Sequence, residues 1–322
     1  MKFAAKEKKY IFEDRRPFAS CHASTVVVLQ DGDILVSWFG GAKEGANDVA
    51  IWCSRRTQGI WTEPRKIAAQ EGLPHWNPVL FQANDGLLHL YYKVGHTIPH
   101  WHTMVTTSRD EGESWSSPCP LVEGDIGGRG PVRNKPIYLR SGMLLAPASI
   151  ETLQEWDAFV DISGDDGATW TKSRHVPIDH GVFPGKGIIQ PTLWESAEGV
   201  HMLLRSTAGA IYRSDSSDQG RTWSAAYPTR LPNNNSGIDL VRMDNGVLAL
   251  VYNPVGADRG ARTPLVVRFS EDNGDTWDHE VMLEGEPGEY SYPAVVAKQN
   301  RLYITYTWNR FRIVCWRLTL ME

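Results

Sequence analysis

The chain has 322 residues, 41% of them hydrophobic, and a formal net charge of −5 at pH 7. That is enough apolar material for a large core, and there is no basic excess to meet nucleic acid or an anionic membrane surface. Cys21, Cys53, Cys119 and Cys315 form no Cys-x-x-Cys pair, which argues against a zinc ribbon and a disulfide scaffold. The polar first ten residues and the lack of any apolar run of about 18 residues point to a cytoplasmic protein without a membrane segment.

In chain order, pairs of short apolar runs flank tight-turn dipeptides at Asp31-Gly32, Asp85-Gly86, Ser141-Gly142, Glu198-Gly199 and Asn245-Gly246, with a glycine-free version at Asn300-Arg301. Such dipeptides between β-branched runs predict hairpins. After each of four hairpins comes Ser-x-Asp-x-Gly-x-(Thr/Ser)-Trp, at 108–115, 163–170, 216–223 and 270–277, a period of 53–55 residues; a decayed copy stands at 54–61. A period of this length marks a repeat architecture. Each unit reads strand, tight turn, strand, long loop, strand, box turn, strand. Six such meanders predict one all-β domain over residues 1–322, a six-bladed β-propeller with four-stranded antiparallel blades. The sixth unit starts near Tyr290 and runs out of chain, so its outer strand is expected from residues 9–12 at the amino terminus. Within the box, the Asp is expected to accept turn N–H groups, the Gly to take positive φ and the Trp to pack between blades.

In a meander blade the start of the first strand and the loop after the second lie on one face, opposite the boxes. The starts carry His22, Asn77, Lys135, Gln190, Asp239 and Tyr292, which should converge on the axial mouth. The loops add Glu44 and Asp48 from unit one, Lys93 and His96 from unit two, Glu151, Glu155 and Asp157 from unit three, and Arg259 and Arg262 from unit five, while Arg205 ends the second strand of unit four. His100 and His102 would point the same way along a strand. No carboxylate or cysteine stands in register with them, so neither a metal nor another cofactor is expected. The 232–237 run, rich in asparagine, reads as a loop on this face touching ligand hydroxyls, or as a plain turn.

The four boxes on a six-unit pattern resemble the sialidase (neuraminidase) superfamily, in particular bacterial proteins with BNR-type repeats, over nearly the whole chain. That resemblance implies an exo-glycosidase in which three arginines hold the substrate carboxylate, an acid from the first blade protonates the leaving group, and a tyrosine nucleophile is activated by a glutamate. Carried over by position, Arg205 and Arg262 match the second and third arginines, Tyr292 matches the nucleophile with Tyr290 as rival, and Glu44 or Asp48 matches the acid. Two positions depart: His22 stands where the first arginine belongs, and Gln190 where the activating glutamate belongs.

Two guanidiniums still pair with one carboxylate, so an acidic monosaccharide glycoside or oligosaccharide is the expected ligand. A free phenol, with a pKa of about 10, needs a base, and neutral His22 is one on offer. Three activities fit this residue set. The first is hydrolysis of a terminal carboxylate-bearing sugar, with Asn77, Gln190, Lys135 and Asp239 as further substrate contacts. The second is β-elimination by His22 and Tyr292, or glycoside cleavage, on a uronate- or rhamnose-containing oligosaccharide. The third is glycan binding without catalysis.

Overall fold

A computed structural model describes residues 3–14 and 16–321. The apolar runs pair through the tight turns into six antiparallel sheets arranged as a six-bladed propeller. Blade one runs from Ser20–Val28 to Arg65–Ala68, blade two from His75–Gln82 to Cys119–Pro120, and blade three from Ile137–Tyr138 to Thr171–Lys172. Blade four runs from Ile188–Glu195 to Tyr227–Pro232, and blade five from Asp239–Arg242 to His279–Glu284. Blade six joins Tyr290–Lys298, Arg301–Trp308 and Arg312–Leu320 to the amino-terminal strand Phe3–Tyr10. No α-helix occurs among the described residues, and no helix is long and apolar enough to cross a membrane.

The closing strand sits further toward the amino terminus than residues 9–12. Lys6 lies opposite Leu318 and Tyr10 opposite Val314, while Ile11 and Phe12 leave the sheet. Both are buried with Phe18 and Trp38, the Phe12 and Trp38 rings standing 5.1 Å apart, so their apolar surface is better used between blades than on an edge. Blade one also departs from four strands. Ala50–Thr57 pairs with two short pieces, Ile60–Trp61 and Arg65–Ala68.

Because successive side chains alternate across a pleated strand, both faces of each sheet need apolar neighbours. They find them between blades: Leu35 and Ile51 pack with Leu80 and Leu90, and Val267 and Phe269 pack with Leu302 and Tyr306. The boxes cap these seams. In the third, Asp218 accepts hydrogen bonds from the Thr222 amide (2.9 Å) and hydroxyl (2.7 Å), and Gly220 at φ +81° donates to the Ser216 hydroxyl at 2.9 Å. The decayed copy turns one residue later, with Gln58 and Gly59 at positive φ in a two-residue hairpin between Thr57 and Ile60. Arg56 replaces its Asp and pairs instead with Glu7 of the closing strand at 2.9 Å.

Candidate active site

Four of the six inner strands share one irregularity. The register skips between His22 and Thr25, Trp76 and Val79, Ile189 and Thr192, and Ser291 and Ala294. At each skip one residue is left-handed: Ala23, Asn77, Gln190 and Tyr292, with φ of 55°, 41°, 52° and 54°. A non-glycine residue pays to adopt such angles, and bulges of this kind re-aim a side chain. Here they turn Asn77, Gln190 and Tyr292 into a cleft of about 370 Å³ at the axial mouth.

Tyr292 stands at the centre of that cleft. Its hydroxyl accepts a hydrogen bond from Nη1 of Arg205 at 2.9 Å. The guanidiniums of Arg133, Arg262 and Arg205 lie 5.3, 5.5 and 5.7 Å from its ring centroid. Arg133 is buried behind the ring and donates to the carbonyls of Tyr292 and Pro293, fixing the bulge from behind; burial pulls it down to about 10. Arg205 is held by the Gln190 amide oxygen at 3.0 Å and the Asn235 side-chain oxygen at 3.0 Å. Arg262 bonds Glu289 at 2.8 Å, and Arg310 joins the same carboxylate at 2.6 Å. Burial alone would raise Glu289, but Arg310 and Arg262 hold it below the usual range. Arg259 is exposed at the rim and has no ion-pair or hydrogen-bond partner among the described residues.

Glu151 lines the same cleft and is only 8% exposed. Burial raises its pKa above the ordinary carboxylate value; Arg205 and a 3.4 Å contact from the Gln190 amide nitrogen offset part of that rise. Glu151, Gln190, Arg205 and Tyr292 thus form one continuous polar chain. Trp76, Trp101 and Trp156 form an apolar wall beside it, a surface suited to stacking on a sugar ring.

The structure brings Tyr292, Arg205, Arg262, Gln190, Asn77 and Glu44 together around the cleft. Glu44 lies at its rim, ion-paired with Arg310 at 2.7 Å. Five expected residues stand elsewhere. Asp48 is exposed and accepts the Ala42 amide at 2.9 Å, bracing its own loop. His22 is buried beneath the cleft, its Nδ1 2.9 Å from the Thr307 hydroxyl and its ring 4.2 Å from that of Tyr292. Burial, with Arg310 and Arg262 nearby, pushes its pKa well below the usual range, so it is neutral packing against Tyr292. Lys135 and Asp239 pair with each other at 2.9 Å near the axis, away from the cleft. Asp239 also accepts the Thr192 hydroxyl at 2.9 Å and the Val295 amide at 2.8 Å, tying blades three, four, five and six together. Tyr290 is buried in the core rather than at the cleft.

Sequence reasoning placed Glu151 and Arg259 on this face without giving them a role, and did not single out Arg133 or Glu289. For Arg133 the available signal was its place two residues before Lys135 in the 131–136 segment. For Glu289 it was the charge just before the last blade.

A family model described as a BNR repeat-like domain matches residues 32–304. The chain belongs to the BNR repeat-like family. No curated protein matches it by sequence. Among solved structures, a protein of unknown function from Dyadobacter fermentans shares 18% identity, covers 99% of both chains and superposes with a TM-score of 0.78. Trypanosoma rangeli sialidase with the inhibitor DANA shares 14% identity at a TM-score of 0.76, covering 98% of this chain and 60% of that one. NanB sialidase of Streptococcus pneumoniae shares 15% at a TM-score of 0.76, covering 97% and 70%. At such identities the likeness establishes the fold. This BNR repeat-like chain is a sialidase-type propeller, and it spans about 60% of the trypanosomal sialidase.

Proposed function

We propose that this BNR repeat-like protein is a glycosidase that releases a terminal carboxylate-bearing sugar through a tyrosyl intermediate. The observation that carries the reading is the 2.9 Å bond from Arg205 to the Tyr292 hydroxyl, in a cleft that also holds Arg262 and the buried Glu151. Arg205, Arg262 and the unpaired Arg259 offer three guanidiniums to one carboxylate, so Arg259 supplies the charge that His22 does not. The trypanosomal sialidase described with 2,3-difluorosialic acid as a covalent intermediate is of the same fold, which favours this chemistry over plain binding.

Tyr292 attacks the anomeric carbon as the bond to the leaving oxygen breaks. Its proton passes to Glu151, a carboxylate whose burial makes it a stronger base than an exposed one. Glu151 thereby fills the role that Gln190 cannot. Glu44, on the cleft rim, gives the leaving oxygen a proton that it takes up from solvent when the bound substrate parts it from Arg310. Water then cleaves the tyrosyl glycoside with the roles reversed. β-Elimination by His22 loses its support, because that imidazole lies under Tyr292 and does not line the cleft.

The test is a panel of fluorogenic glycosides, an α-sialoside, a β-glucuronide and a neutral glucoside, with wild type, Arg205→Ala and Tyr292→Phe. Turnover of an acidic glycoside alone, lost in both variants, with a 2,3-difluoro sugar trapped on Tyr292 by mass spectrometry, supports the reading. Turnover that survives Tyr292→Phe, an ultraviolet-absorbing unsaturated product, or no turnover of any acidic glycoside defeats it.

A further inference from the structure

Outside the cleft, blade three carries a cluster of donors that the proposed hydrolysis does not use. Glu155 and Asp157 alternate with Trp156 at the start of the strand Trp156–Ser163, so the two carboxylates share one face while the indole faces the cleft. A carboxylate oxygen of each and a ring nitrogen of His180 lie within 4.8 Å of one another. His180 Nε2 is 3.1 Å from Oδ1 of Asp157, and His175 Nδ1 is 4.0 Å from Oδ2. The second distance is too long for a hydrogen bond. Neither carboxylate has a lysine or arginine within ion-pair distance among the described residues, so two like charges face each other with only imidazoles between them.

We propose that Glu155, Asp157 and His180 form a binding site for a divalent transition ion of the Zn²⁺ class, with water completing its coordination. Mixed imidazole and carboxylate donors suit that class, whereas Ca²⁺ and Mg²⁺ select oxygen donors. The ion would fasten the 173–187 segment to the hairpin before Trp156. That segment already meets the hairpin through the Trp156 amide and the Lys186 carbonyl at 2.8 Å. Its role is to brace one wall of the cleft from behind, outside the reacting groups.

Calorimetry on the full chain, stripped of metal and free of any affinity tag, tests this with ZnCl₂ and CaCl₂. One Zn²⁺ should bind per chain with a Kd of about 10 μM or tighter, with Ca²⁺ at least about tenfold weaker, and Zn²⁺ at a hundredfold excess over Kd should raise Tm by roughly 2–5 °C. His180→Gln and Asp157→Asn should each weaken Zn²⁺ at least about tenfold while leaving the metal-free Tm within a few degrees of wild type. His102→Ala, at the start of the strand His102–Ser108 of blade two, should leave the Zn²⁺ affinity unchanged. No saturable Zn²⁺ binding below about 100 μM, or binding that survives His180→Gln, overturns the site.

Discussion

Tyr292 and Glu151 show how far a residue's identity differs from its chemistry. Tyr292 is legible in the sequence because it begins the last blade, but its left-handed φ of 54° and its seat among three guanidiniums are products of the folded ring. Tyr292→Phe removes only the hydroxyl, so kcat should fall at least about a thousandfold while affinity for a product acid, measured by calorimetry, stays within severalfold. Glu151 has no partner in sequence; its role comes from burial and from Gln190 on the neighbouring blade. Its raised pKa has a stability consequence with a definite sign. Between the unfolded and the raised folded pKa the native state binds more protons, so stability falls as pH rises through that window. Glu151→Gln should therefore raise Tm at pH 7 relative to wild type, and the gain should vanish at a pH below the ordinary glutamate value of about 4.3. Scanning calorimetry at the two pH values checks the sign. The same variant should lower kcat by roughly a hundredfold or more.

The element that repeats most faithfully, the box turn, is also the one most completely written in sequence. Its Ser, Asp and Gly interact within eight residues, so local chemistry settles its conformation without help from the rest of the chain. Ser216 shows the balance: its hydroxyl bonds Asp218 at 2.8 Å and accepts the Gly220 amide at 2.9 Å. Ser216→Ala should cost about 1–2 kcal/mol in urea unfolding and leave turnover unchanged, because the boxes lie away from the cleft. The inner-strand bulges are the opposite case. Pro78, Pro191 and Pro293 follow three of the left-handed residues, but a residue before proline is usually extended, so the sequence pattern argued against the conformation found. What holds it is distant: Arg133 on the carbonyls of Tyr292 and Pro293, and the Asn134 amide on the carbonyls of Gln190 (3.2 Å) and Pro191 (3.0 Å).

Across the whole molecule, two devices close the ring. The strand Phe3–Tyr10 completes blade six, and Glu7 on it pairs with Arg56 of blade one at 2.9 Å. A chain lacking residues 1–10 should expose the edge of Arg312–Leu320 and aggregate, seen as early elution from a sizing column. At the axis, Asp239 is 2% exposed and holds Lys135 at 2.9 Å. Asp239→Ala leaves that lysine buried and unpaired and should cost about 3–5 kcal/mol in denaturant unfolding; adding Lys135→Met should recover most of the loss. Both residues are polar and stand where inner strands begin, so by position alone they read as ligand contacts. The sequence by itself determined the blade count, the faces and the family, because hairpins and boxes are made of neighbours whose preferences repeat every 53–55 residues. Only the tertiary structure decided which polar residue at each inner strand meets the cleft and which plugs the axis. That choice depends on one-residue bulges and on burial between blades far apart in the chain. By it Glu151 and Arg259 join Tyr292, and His22, Lys135 and Asp239 stand away from the cleft.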